Sequence, residues 1–255
     1  MKVTILGTGT SQGVPVIGCT CEVCTSNDTR DQRLRCSILI EVDQQQILVD
    51  VGPDFRQQML RANISDINAI LLTHEHNDHI IGMDDVRPLN FMHKKHMPVY
   101  AVERVQEELK KRFSYIFDKD PYPGAPRITL HDIGPDKPFQ IGETTINPIE
   151  IFHGKLPILG FRIKDFTYIT DAKTITQKEL EKVRGTKILI LSALHHSVHH
   201  SHLNLEEALE WVEQIQPEVA YLLHISHRMG KYEEVSKTLP KGVHLAYDGL
   251  ELVME

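Results

Sequence analysis

His74, His76, Asp78 and His79 put three imidazoles and a carboxylate within six residues, directly behind the apolar run Ala69-Ile70-Leu71-Leu72. A lone histidine is usually satisfied in a core or on a surface, but a cluster this dense is hard to explain except as metal ligation. Imidazole nitrogen with carboxylate oxygen suits zinc, manganese or iron, and a site that keeps one position open holds water at the metal. Adjacent Asp78 and His79 point differently from His74 and His76, so two ions are a simpler reading than one. A second cluster, Cys19-Thr20-Cys21-Glu22-Val23-Cys24, gathers three of the four cysteines. In a reducing compartment that spacing favours metal ligation over disulfides, with free thiols the alternative. Cys36 sits against strand-like sequence and reads as an ordinary buried thiol.

The loop His74-x-His76-x-Asp78-His79, with Leu71-Leu72-Thr73 before it and Gly82 after it, resembles the signature of the metallo-β-lactamase superfamily. The resemblance implies the remaining ligands, and the chain supplies them at the ends of apolar runs: His153, Asp171 and His224. By that pattern His74, His76 and His153 would hold one ion, Asp78, His79 and His224 the other, and Asp171 would bridge both. Asp50 matches the first motif of the family and would orient a ligand histidine from behind; a turn-forming aspartate before Gly52-Pro53 is the other reading. Members with true β-lactamase activity carry a cysteine where Asp171 stands. A carboxylate there suits a bridged pair of ions about 3.5–4 Å apart, which can clamp phosphoryl oxygens during in-line displacement.

The C-x-C-x-x-C cluster resembles the structural zinc site of phosphoribosyl 1,2-cyclic phosphate phosphodiesterases, and implies a closed site of Cys19, Cys21, Cys24 and His227. His202, in His202-Leu203-Asn204-Leu205-Glu206-Glu207-Ala208, resembles the H-x-x-x-E-x-A segment of the phosphodiesterase branch, whose histidine is a candidate general acid. With Asp78 it completes the expected catalytic pair. The nearby His195, His196, His199 and His200 have no counterpart and read as a solvated polar loop. Leu6-Gly7-Thr8-Gly9-Thr10-Ser11-Gln12-Gly13 lacks dinucleotide glycine spacing; it is a tight turn, or it brings Ser11 or backbone amides to a phosphate. Arg87 could meet a phosphate or pair with Asp84. The resemblance implies hydrolysis of a cyclic ribose phosphate or similar small phosphodiester, with two active-site ions (Zn or Mn), one structural Zn and a homodimer. Transfer-RNA 3′-end cleavage shares the metal set, but that family carries a long insertion for grasping RNA that is missing between His153 and Asp171. Thioester hydrolysis would need an added helical domain. A non-hydrolytic relative of the pyrroloquinoline quinone pathway, or an inactive metal scaffold, would tend to lose loop histidines that are all present here.

These side chains need elements to carry them. Apolar or β-branched runs at Lys2–Leu6, Ser37–Val42 and Gln46–Val51 read as a strand meander, and Ala69–Leu72 as a short buried strand ending in the histidine loop. Helices are expected over Pro53–Ala62, Val102–Arg112, Thr176–Arg184, Asn204–Ile215 and Lys231–Thr238. Further strands are expected over Pro98–Ala101, Ile128–His131, Thr144–Ile151, Leu159–Ile163, Phe166–Thr170, Lys187–Leu191 and Val219–Leu223. Strands first, then strands alternating with helices, predict an α/β chain with two sheets face to face and helices outside, which the resemblance names as an αββα sandwich in a single domain over 1–255. At 255 residues and 41% hydrophobic, the chain can bury a sizeable core. No run approaches the roughly 20 apolar residues of a membrane helix and no signal-peptide core opens the chain, so a cytoplasmic protein is expected. The net charge of −7 argues against a nucleic-acid partner, whose phosphates are held by clustered Lys and Arg, and favours a small substrate.

Overall fold

The computed structural model describes residues 1–254 and contains two seven-stranded sheets. Edge to edge, the first runs β14 (Glu251–Val253), β1 (Lys2–Gly7), β2 (Ser37–Val42), β3 (Gln45–Val49), β4 (Ala69–Leu71), β5 (Met97–Ala101) and β6 (Ile128–Asp132). The second runs β13 (Val243–Leu245), β12 (Val219–Leu223), β11 (Ile188–Ser192), β10 (Phe166–Ile169), β9 (Leu156–Ile163), β8 (Thr144–His153) and β7 (Phe139–Ile141). Each sheet has the same design: an antiparallel meander, then parallel strands, β3 to β6 in one and β10 to β13 in the other.

Strand side chains alternate between faces, and here both faces are covered, which is why the strands read as nearly continuous apolar runs. In β2, Ile38 and Ile40 point into the cluster between the sheets, where they meet Phe161, Phe166 and Tyr168 from the second sheet. Leu39 and Leu48 point the other way, onto α1 (Phe55–Arg61), α2 (Asn77–Ile80), α3 (Arg87–His93) and α4 (Glu103–Arg112). On the far side, Ile169, Leu189 and Leu222 pack on α5 (Gln177–Val183), α6 (Leu205–Ile215) and α7 (Tyr232–Ser236). The expected αββα layering is therefore observed. Among the described residues, no helix is long and apolar enough to cross a membrane.

The differences from the sequence expectations have local causes. Three strands went unpredicted, β7, β13 and β14; each has three residues and lies at or next to a sheet edge, too short for alternation to register. The segment carrying Asp78 and His79 is a four-residue helix, α2, rather than open loop, and α3 follows it with Pro88 in its first turn. Asn204 lies just outside α6 as its cap: its side chain accepts from the Glu207 N–H while Glu207 accepts from the Asn204 N–H. In an open α/β sheet the carboxyl ends of parallel strands are where ligands bind, and β3, β4, β10, β11 and β12 all deliver theirs to one rim.

Candidate metal centre

That rim gathers the seven candidate ligands of the His/Asp site. His74 and His76 follow β4, Asp78 and His79 lie in α2, His153 ends β8, Asp171 follows β10 and His224 follows β12. The ligand atoms of His74, His76 and His153 lie within 4.8 Å of one another, and so do those of Asp78, His79, Asp171 and His224. Asp171 faces both groups, with Oδ2 4.0 Å from His74 Nε2 and 3.2 Å from His224 Nε2, and Oδ1 3.4 Å from His79 Nε2. Apart from exposed His76 and half-buried Asp78, all are buried.

Backbone conformation aims several of these groups. Asp50, Asp171 and His224 have φ of 63°, 53° and 56°. Left-handed backbone costs roughly 1–2 kcal/mol for a non-glycine residue, and its use at three strand ends on one rim is the local strain expected where side chains must be turned into a site. Gly52 permits α2 to sit close: a Cβ there would lie 2.2 Å from the Asp78 carbonyl oxygen. The Val51 N–H donates to the His79 carbonyl and the Gly82 N–H to the Val51 carbonyl, which locks α2 to the end of β3.

Groups behind the cluster set the ring orientations. Asp50 accepts from the Thr73 N–H at 2.9 Å and sits 2.7 Å from His79 Nδ1, so Nδ1 of His79 donates to Asp50 and Nε2 is turned to the cluster. The Ser201 carbonyl accepts from His153 Nδ1 at 2.8 Å and does the same for that ring. Nε2 of His79 and both ring nitrogens of His224 are buried without a hydrogen-bond partner. His224 Nε2 is close to Asp171 but not aligned on it. Polar atoms that crowd together yet do not bond one another are aimed at a common point, and nitrogen with carboxylate oxygen is a donor set that a divalent cation satisfies.

The electrostatics agree. Burial would raise Asp171, but His224 and His79 overcome it and hold the carboxyl well below the usual carboxylate range. Burial works against charge on His79, yet Asp171, Asp78 and Asp50 together push it well above the ordinary imidazole value. Burial and His79 push His74 well down. The cluster thus concentrates negative charge that a cation neutralises.

His202 lies over this floor, its ring 4.4 Å from His153 and 4.7 Å from His224, with Nδ1 3.9 Å from Asp171 Oδ2 and unpartnered. Burial and the neighbouring His224 push it down to about 2. The histidine-rich stretch is less solvated than expected. His195 is buried and accepts from the Ser197 N–H, His196 pairs with the Met229 carbonyl, and half-buried His199 stands 5.1 Å from His202; His200 is exposed against His199. Ser11 is exposed near this rim: its carbonyl accepts from Arg35, and the glycine turn pairs with Ile225 beside His224. Arg87 is exposed and pairs with Asp84 at 3.2 Å. Sequence reasoning passed over Thr73, Ser201, Glu75 and Arg104, because a carbonyl or guanidinium contact across many residues leaves no local pattern.

The cysteine cluster closes around His227. Sγ of Cys19, Cys21 and Cys24 lie 3.2, 3.4 and 3.5 Å from His227 Nδ1. A tetrahedral zinc with bonds of about 2.3 Å to sulfur and about 2.0 Å to nitrogen puts S and N about 3.5 Å apart. The Cys24 N–H draws Cys21 down to about 6, while burial raises Cys24 to about 11. Cys36 is buried and donates to the Gly9 carbonyl.

Comparison with known proteins places the fold in a family. Residues 45–225 match the model of the β-lactamase superfamily domain. A Porphyromonas gingivalis protein named octanoyltransferase is 41% identical over the whole of this chain and 52% of its own length, so the chain spans about half of that relative. A solved structure described as a new diphosphatase from the PhnP family is 39% identical, with a TM-score of 0.92 over 98% of this chain and 96% of that one. A ribonuclease Z from Thermosynechococcus vestitus is 25% identical over 65% of this chain and 37% of its own.

Proposed function

Since this chain belongs to the β-lactamase superfamily, and within it to the PhnP family, we propose that it hydrolyses a small phosphodiester, a cyclic ribose phosphate or a close analogue, at a site for two divalent ions. The observation that carries the reading is the convergence of seven side chains from both sheets, with Nε2 of His79 and both ring nitrogens of His224 buried and unpartnered among the described residues. In it, His74, His76 and His153 would hold one ion and Asp78, His79 and His224 the other, with Asp171 facing both groups. Zinc or manganese, when bound by these residues, would supply Lewis-acid polarisation of phosphoryl oxygens and a water whose pKa is brought toward neutrality.

The chain's own groups do the rest. Asp50 and the Ser201 carbonyl hold His79 and His153 in the tautomers that leave Nε2 inward. Burial and the neighbouring His224 hold His202 toward its neutral form. An anionic phosphodiester docked against it favours the charged imidazolium, which then gives its proton to the departing sugar oxygen. Ser11 and Arg87 are the residues proposed to meet the rest of the substrate. A closed site of Cys19, Cys21, Cys24 and His227 fits a structural zinc that ties the N-terminal loop to the segment after β12.

The name octanoyltransferase attaches to a chain twice this span, and the His/Asp cluster presents no thiol or amine to carry an acyl group; Cys36 has its thiol turned to a backbone carbonyl. Cleavage of a diphosphate linkage is a second reading, favoured by the name of the PhnP-family relative.

Turnover of ribose cyclic phosphates, a diphosphate diester and bis-p-nitrophenyl phosphate by the metal-loaded protein tests the proposal. Asp78→Ala should abolish all turnover while the protein stays folded. His202→Ala should lose about 10²–10⁴-fold on ribose esters and much less on the p-nitrophenyl ester, whose leaving group departs without a proton. Full activity of Asp78→Ala would end the two-ion reading, and equal losses on both esters would remove His202 as the acid.

A further inference from the structure

We propose that Arg104 is a positioning residue that sets the distance between the two halves of the His74/His76/His153 site. It stands in the first turn of α4, outside both motifs, and its guanidinium reaches two separate pieces of that site. Nη1 donates to Glu75 Oε1 and Nη2 donates to the Pro157 carbonyl. Glu75 is the residue between His74 and His76. Pro157 lies on β9 opposite Phe152, one step along the ladder from the His153–Leu156 pair. One planar group therefore joins the loop that carries two candidate ligands to the hairpin that carries the third.

The chemistry requires an arginine. A guanidinium presents several donors in a rigid fork, and two of them serve two acceptors at a fixed spacing, whereas an ammonium is a point charge on a flexible stem. The carboxylate needs the contact as well. Glu75 is largely buried, with a side-chain exposure of 14%, and its Oε2 has no partner. Without Arg104, an anion would be left unpaired between two histidines, and it would turn toward whatever cation lies nearest, including one held by those histidines. Arg112, two turns further along α4, donates to the Glu75 carbonyl and to Asn77 Oδ1, both at 2.7 Å, and fixes the backbone of the same loop. The backbone adds a second link between loop and hairpin strand, the Leu159 N–H donating to the Thr73 carbonyl on the far side of His74 from Glu75.

The inference rests on the two-ion reading proposed above and deepens it. The test is cobalt titration of wild type, Arg104→Lys and Arg104→Ala against a competing chelator, read by visible absorbance, with thiolate charge-transfer bands reporting the Cys19/Cys21/Cys24 site separately. The expected result is a loss of about 10–100-fold in affinity for one of the two nitrogen/oxygen-bound ions in Arg104→Ala, a smaller loss in Arg104→Lys, and unchanged thiolate bands in both. Should Arg104→Ala not fold, Arg104→Lys carries the test, since it keeps charge and bulk and lacks only the fork. Wild-type affinity in Arg104→Lys, or equal loss at all three ions, would overturn the positioning role. Failure of the wild type to bind two ions outside the thiolate site would instead remove the metal reading itself.

Discussion

At the scale of single residues, His79 is the group on which the charge balance of the site turns. It is enclosed by Asp50, Asp78 and Asp171, which push it well above the ordinary imidazole value against the effect of burial. In the metal-free protein these carboxylates favour the protonated form of His79, while Asp171 and Asp78 are held below the usual carboxylate range. Coordination needs the Nε2 lone pair, so loading must expel that proton. A raised folded value stabilises the fold below the unfolded pKa, and that contribution is lost as pH rises through the raised value. Metal affinity should increase with pH over the same range in which the stability of the metal-free protein declines. Titration of metal into weakly buffered protein near pH 7 should release protons; uptake, or no change, would contradict the arrangement of three carboxylates around one imidazole. At this scale the sequence was most legible where ligands are contiguous. His74, His76, Asp78 and His79 announce themselves by density, while His153, Asp171 and His224 stand alone at strand ends and were reached only through a family pattern. Arg104 and Ser201 act through contacts that no spacing encodes.

At the scale of elements, the rim is a product of strand ends. Long apolar runs such as β2, β11 and β12 could be placed from their residues because both faces are buried. The edge strands β7, β13 and β14 could not, because three residues give alternation no room. Short α2 was missed for the same reason: helix periodicity needs more than one turn. The cysteine loop is the element whose order depends most on an added ion, since it has little regular structure between β1 and β2. Three thiols and His227 close it onto the segment after β12. Such sites contribute on the order of 10 kcal/mol in small zinc domains; in a chain with a large core the loss should be smaller and local. Cys19→Ser should bind one zinc fewer, unfold at a lower temperature and be cleaved faster by protease within residues 19–31, with the His/Asp cluster still binding metal. Unchanged zinc content would show that the thiols are not ligands.

At the scale of the whole molecule, two sheets of the same design meet face to face, and neither contains the site alone. Asp50, His74, His76, Asp78 and His79 come from the first sheet; His153, Asp171, His202 and His224 come from the second. The core between them, with Phe161, Phe166 and Tyr168 packed on Ile38, Ile40 and Val49, therefore sets the separation of the two halves of the metal centre. Layer order was legible from the succession of strand and helix patterns; the matching of the two rims was not, because it depends on how two sheets twist and pack.

The most direct test is anomalous diffraction from crystals grown with manganese or zinc, which locates each ion independently of any assay. Two peaks about 3.5–4 Å apart are expected, one among His74, His76 and His153, the other among Asp78, His79 and His224, with Asp171 between them. A single peak at the rim, or none there under saturating metal, would contradict the account.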